Sequence, residues 1–238
     1  MHERTAPPSP RGRWPDILQR LPHSWRVRLA LVAPRLPVAR PITEPDSAFD
    51  VAHFERFYAK VDPWGLAGNP NEEAKYAVIL DRCGNGPFGR ALEIGCGEGL
   101  FTLLLAPRCH SLLAVDISSR AVRRARDRLA HYPGVVARAA SLPAGYPDGP
   151  FDLVVASDVL YYWPTDELQS AARRIADSLA VGGRFVAIHF ALPVAAVSNG
   201  DTVHKVLPGA LALSHVHSET REIGAGRRYR IDVWDKAG

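Results

Sequence analysis

Between Arg90 and Leu100 the chain reads Arg-Ala-Leu-Glu-Ile-Gly-Cys-Gly-Glu-Gly-Leu, and a second apolar run, Leu112-Leu-Ala-Val, ends in Asp116. Glycines at alternate positions permit a tight turn and leave bare backbone for a ligand to approach. The apolar stretch from Ala91 to Ile94 reads as a buried strand and Leu100 as the opening of a helix, the strand–turn–helix order that open α/β sheets use to bind nucleotides. Asp116 lies 17 residues beyond Gly99. That is near the spacing at which a carboxylate on the next strand end accepts both hydrogen bonds of a ribose diol. Together the two segments imply an adenosine-bearing ligand.

The glycine spacing narrows the choice. Dinucleotide folds use G-x-G-x-x-G and seat a pyrophosphate on a helix N-terminus. Here Gly95, Gly97 and Gly99 are evenly spaced, with Glu93 before them and Glu98 among them. Two carboxylates would repel a diphosphate, whereas they suit a ligand without phosphate and with a cationic end, such as S-adenosylmethionine. Motif and acidic strand end together resemble those of the class I S-adenosylmethionine-dependent methyltransferases. Farther on, Ser157-Asp-Val-Leu-Tyr-Tyr162 resembles the Ser-Glu-Val-Leu-Tyr-Tyr stretch of the NodS-like N-methyltransferases, with Asp158 in place of the Glu. The segments Phe54 to Trp64, Ala106-Pro-Arg-Cys109, Gly200 to His204 and Tyr229 to Trp234 fit the same family, so the resemblance spans residues 49–236.

The resemblance implies that Gly95, Gly97 and Gly99 hold the methionine part of the cofactor, with Glu93 and Cys96 in the same turn, that Asp116 holds the ribose and that Ile117 packs on adenine. After the third strand, where such enzymes often carry an acid for the adenine amino group, this chain has Ala139-Ala-Ser-Leu-Pro143. Ser141 or a backbone group must then make that contact, and Leu142 and Ser157 complete the cofactor-binding set. Methyl transfer asks chiefly for alignment and exclusion of water, and an amine acceptor must also be neutral. Asp158, beside Tyr161 and Tyr162, is the first candidate to orient or deprotonate the acceptor, and His189 and His204 are alternative bases. Each has a plain structural alternative: Asp158 as a cap, the histidines as satisfied core residues. Tyr58, Trp64 and Tyr161 are expected to wall the substrate pocket and steady a cationic methyl group, while Tyr76 and Tyr162 are assigned to the core. Cys96 reads as a space-filler. No metal is expected.

These residues need a scaffold. The 238 residues suffice for one α/β domain with an appendage. Residues 1–46 are rich in Pro and Arg, with eight Arg against two acids before residue 41; the remaining chain carries 21 basic and 23 acidic residues. The body is therefore no basic nucleic-acid surface, and the tail reads as partly disordered. Residues 47–88 read as helices of a lid or pocket wall: a helix with Val51, Phe54, Phe57 and Tyr58 on one face, the turn Asp62-Pro-Trp-Gly-Leu66, and a helix over 71–82. From residue 89 strands and helices alternate, giving a doubly wound, mostly parallel sheet. Helix 166–180 is expected to end at a Gly182-Gly183 cap, and strands 211–222 and 228–234 to form an antiparallel hairpin around Gly224-Ala-Gly226. A doubly wound sheet closed by such a hairpin resembles the class I methyltransferase fold, and the resemblance implies a Rossmann-like sheet of seven strands.

Three cysteines without ligand spacing, no apolar run near 18 residues and no secretory signature point to a soluble, cytoplasmic protein, monomer or homodimer. The expected activity is methylation of a small molecule, by the resemblance at an amino group of a sugar or secondary metabolite, leaving S-adenosylhomocysteine. O-methylation of a phenol or sugar hydroxyl is the alternative, and a cofactor-binding subunit without catalysis is the alternative of another class.

Overall fold

The computed structural model describes residues 49–191, 196–223 and 227–238. The Arg/Pro-rich tail and the Gly224–Gly226 loop lie outside them. Two helices come first, α1 (Val51–Phe57) and α2 (Pro70–Cys83), then β1 (Phe88–Ile94), α3 (Leu100–Leu105), β2 (Cys109–Asp116), α4 (Ser119–Leu129), β3 (Val135–Ala139) and β4 (Phe151–Ser157). After a 3-10 turn at Leu160–Tyr162 follow α5 (Thr165–Ser178), β5 (Leu179–Phe190), α6 (Gly200–Ala210), β6 (Ser214–Ile223) and β7 (Arg227–Asp235). Local chemistry sets the helix starts: the side chains of Asp50, Asn69 and Ser118 each accept a backbone N–H of the helix they cap, and Pro70 occupies the first turn of α2.

The strands form one seven-stranded sheet in the order β3-β2-β1-β4-β5-β7-β6. All pairings are parallel except those of β7 with β5 and β6. The central strands are apolar on both faces, as a sheet covered on both sides requires. Leu92, Ile94, Val154 and Phe185 pack under Leu168, Ile175 and Leu207 of α5 and α6. Ala91, Leu153, Val155 and Val186 pack under Tyr76, Ile79 and Leu105 of α2 and α3. The β1 and β4 ends meet between these layers at the strand-order reversal, where open α/β sheets bind ligands.

Three expectations are corrected. Helix α5 stops at Ser178, and Gly182-Gly183 lies within β5, where Gly182 takes φ +75° and the β4–β5 register shifts between Phe151 and Leu153. The pair serves a strand irregularity and caps no helix. The stretch between the strand ending at Phe190 and the hairpin, to which the sequence pattern assigns no element, forms helix α6; it begins at Gly200, holds Pro208, and is capped by the Asn199 side chain accepting from the Thr202 N–H. Val51 is exposed, so only Phe54 and Tyr58 of the expected α1 face are buried. No helix among the described residues is long and apolar enough to cross a membrane.

Candidate functional site

The glycine turn runs from the end of β1 into α3, with φ of +75°, +52° and +79° at Gly95, Gly97 and Gly99. The flanking glycines serve packing. A Cβ on Gly95 would lie 2.7 Å from Val159, and one on Gly99 would lie 3.0 Å from Ala125. Gly97 faces the site: its N–H donates to Asp116 Oδ2 at 2.9 Å, and a Cβ there would meet the Tyr58 hydroxyl at 3.1 Å. Asp116 Oδ1 accepts the Ser118 N–H at 2.9 Å. Burial pushes the Asp116 carboxyl up to about 6, against the pull of these N–H donors. Glu93 is more extreme. Burial, with the Asp116 charge adding to it, pushes its carboxyl up to about 7, and its Oε2 has no hydrogen-bond partner among the described residues. The Cys96 thiol is also pushed up by burial and has the small volume the turn needs.

Glu98 is committed elsewhere. Its Oε1 accepts from Arg124 Nη1 at 2.6 Å and from the Asp62 N–H at 3.0 Å, so it is no counter-charge for a ligand. Arg124 also donates to the carbonyls of Lys60 and Tyr58, at 2.9 and 3.0 Å. One guanidinium thereby ties the segment after α1 to α4 and to the glycine turn, a fixed fork satisfying three acceptors. Asp62, at φ +46°, turns the chain by accepting the Leu66 and Ala67 N–H groups. Over the turn the Trp64 indole N–H donates to the Tyr58 hydroxyl at 3.2 Å, and Trp64 packs on Phe57 with ring centroids 4.2 Å apart. Arg124→Met should therefore lower global stability by about 2 kcal/mol and accelerate amide exchange across residues 58–66, read by hydrogen–deuterium exchange; unchanged exchange there would mean that Arg124 does not anchor this segment.

On the acceptor side Asp158 follows β4 at φ +51°. Its Oδ1 accepts the Phe190 N–H at 2.8 Å, and its Oδ2 lies 2.6 Å from Lys75 Nζ on α2. Lys75 is buried, pairs also with Glu72 at 2.6 Å, and sits over the rings of Tyr76 and Tyr229. The negative partners hold its ammonium well above its ordinary pKa despite burial. Asp158 is thus an ion-paired carboxylate, and this arrangement opposes its use as a free base. Nothing at Lys75 beyond helical periodicity marks it in the sequence.

The remaining expected residues divide. His189 and His204 are buried with their ring nitrogens engaged: His189 Nε2 accepts the Leu160 N–H, and its Nδ1 faces His204 Nε2. Neither keeps a lone pair for an acceptor, which opposes their use as bases; burial lowers the pKa of both. Tyr161 is buried against His189, with ring centroids 5.5 Å apart. Tyr162, assigned to the core from the sequence, packs against the core and also on Phe49 and Phe54, at 5.2 and 5.1 Å. Ile117 packs beside Phe54 and Tyr58, Leu142 enters the core, Ser157 ends β4 half-buried, and Ser141 is exposed. Ser141 and Leu142 border a cavity of about 400 Å³ against Glu167, Ser170 and Arg174 of α5, which includes none of Glu93, Asp116 or Asp158. Among the described residues no group of three His, Cys, Asp or Glu side chains is placed to hold a metal ion.

A family model described as a methyltransferase domain matches residues 92–187, the stretch that holds the glycine turn, Asp116 and Asp158. Residues 92–187 carry a methyltransferase domain, in a Rossmann-like class I fold. Nodulation protein S of Rhizobium tropici is 38% identical over 136 residues, 55% of this chain and 56% of that protein. Its counterpart in Sinorhizobium fredii is 34% identical over 136 residues, 55% and 62% of the two chains. The chain thus spans little more than half the length of these curated relatives. The crystal structure of N-methyltransferase NodS from Bradyrhizobium japonicum WM9 with S-adenosyl-L-homocysteine has a TM-score of 0.71 at 27% identity, covering 79% of this chain and 98% of that one. The methyltransferase domain is NodS-like in sequence and in fold. Tyr58, Trp64, Lys75, His189 and His204 all lie outside the matched stretch 92–187.

Proposed function

We propose that this chain is an S-adenosylmethionine-dependent N-methyltransferase acting on a small molecule. The observation that carries the reading is the buried Glu93 carboxyl, whose Oε2 has no hydrogen-bond partner among the described residues, beside Asp116 and the bare Gly97 backbone. A cation next to Glu93 offsets its burial, and Asp116 keeps lone pairs beyond its two N–H bonds for a ribose diol. These residues fit S-adenosylmethionine, the counterpart of the S-adenosyl-L-homocysteine held by the NodS structure. When bound, the cofactor supplies a methyl group on a cationic sulfur.

In this reading Glu93 and Gly97 hold the methionine end, Asp116 the ribose, and Ile117 the adenine. Tyr58, Trp64 and Tyr162 exclude water above them and present ring faces that favour a cationic methyl group. Asp158, held in place by Lys75, orients the acceptor amine by accepting its N–H; the amine arrives neutral, and its proton leaves after transfer to solvent. An amino group on a sugar or secondary metabolite is the acceptor class that the NodS likeness supports.

Calorimetry with S-adenosylmethionine and S-adenosylhomocysteine tests the cofactor, and a panel of amines and phenols with methyl-labelled cofactor tests the acceptor. Micromolar binding with label on nitrogen is expected. Label on a hydroxyl overturns the acceptor class, and absence of binding overturns the whole reading. Asp116→Ala should weaken S-adenosylhomocysteine about 30-fold, from the loss of a charge-assisted contact worth about 2 kcal/mol; an unchanged dissociation constant would take Asp116 out of the site.

A further inference from the structure

A line of buried polar groups crosses the core behind Asp158. Asp232 on β7 accepts from His204 Nδ1 on α6, His204 Nε2 lies 3.1 Å from His189 Nδ1 on β5, and His189 Nε2 lies 3.1 Å from the Leu160 nitrogen. Its two ends fix every proton. A backbone N–H can only donate, so His189 Nε2 is bare and the ring proton sits on Nδ1. That proton is donated to His204 Nε2, which leaves the second ring's proton on Nδ1, donated to Asp232. The other Asp232 oxygen accepts from His215 Nε2 at 2.8 Å. No lone pair in the line opens toward Asp158 or the glycine turn, so it cannot carry a proton away from an acceptor.

A buried polar network costs desolvation that an apolar core avoids, which makes its terminus informative. The terminus is the first N–H of the 3-10 turn, a donor with no partner within the turn itself. On that turn's N-terminal side Val159 occupies the space beside Gly95, and Tyr162 at its other end packs under the lid. The turn is one wall shared by the glycine loop and the lid.

We propose that Asp232, His204 and His189 form a positioning relay for the cofactor pocket: by holding the Leu160 N–H they seat Val159 against Gly95 and Tyr162 against the lid. The inference rests on the reading of the glycine turn as the cofactor site. None of the three residues touches the reacting atoms.

The test uses the full chain and S-adenosylhomocysteine as probe. Long-range nitrogen–proton correlation on the wild type should find both rings neutral and protonated on Nδ1; a proton on His189 Nε2 overturns the relay, whatever the variants do. Calorimetry then compares His189→Gln, whose Oε1 can accept the Leu160 N–H, with His189→Phe, which fills the space without an acceptor. Gln is expected to bind within about threefold of wild type and Phe about tenfold more weakly, the loss of one buried acceptor. A general packing role would move both alike, and equal affinities for the two variants overturn the proposal. A wild type that fails to bind the probe overturns the cofactor reading and the pocket role with it, while the ring protonation still decides whether the relay exists.

Discussion

Lys75→Met should cost about 3–5 kcal/mol of stability, because it removes a buried cation shared by two carboxylates, one buried and one partly exposed. The Lys75 side chain is 5% exposed and its Glu72 partner 4%. Glu72 retains Arg227 Nη1 at 3.2 Å and Asp158 retains the Phe190 N–H, so neither carboxylate is left bare, but each loses its ion pair with Lys75. The expected result is a lower denaturant midpoint at unchanged m-value, with part of the loss recovered in Lys75→Met/Glu72→Gln, where one of the stranded charges is also gone. If the single variant lost less than about 1 kcal/mol, the pair would be solvated like a surface ion pair. In a variant that still folds, Asp158 loses the partner that holds it in place. Turnover should then fall more than affinity for S-adenosylhomocysteine, since Asp158 belongs to the acceptor side.

The residues legible in the sequence are those whose roles are imposed locally. Alternate glycines before a helix leave few backbone solutions, and a strand ending in Asp116 places that carboxylate beside the turn whatever surrounds it. The sheet was legible for a similar reason, since apolar runs separated by amphipathic stretches of helical length leave few right-handed topologies. The residues that escaped act across distance. Lys75 meets Asp158 over 83 positions, and Arg124 reaches the Tyr58 carbonyl over 66. Asp232 meets His204 over 28. No periodicity couples such positions. The misreadings have the same origin: Glu98 has the right type and spacing for a cation, and only the fold supplies Arg124 to claim it. Likewise Tyr161 and Tyr162 are adjacent and chemically identical, and the 3-10 turn alone decides which meets His189 and which meets Phe49 and Phe54.

Glu93→Gln should separate stability from binding. Glu93 is 4% exposed, and burial raises its carboxyl from an ordinary 4.5 to about 7. The folded state therefore binds this proton more tightly than the unfolded chain does. By linkage, Glu93 makes stability fall as pH rises from about 4.5 to 7, and the penalty persists above that window. A shift of this size corresponds to about 3 kcal/mol at pH 8. Gln keeps the shape without the charge, so the variant should be more stable than wild type by up to about that amount at pH 8 and nearly equal to it at pH 4, measured by thermal unfolding at both. Binding should move the opposite way, because the unpartnered oxygen that destabilises the empty fold is the counter-charge for a cationic ligand: the variant should bind S-adenosylmethionine more weakly at pH 8. Near pH 6 the wild type should release a proton as S-adenosylmethionine binds, visible as a calorimetric enthalpy that changes with the buffer's ionisation enthalpy. Proton release absent in wild type would mean that Glu93 does not face the cation; release lost in the Gln variant assigns it to this carboxyl, a buried charge that weakens the fold in order to bind.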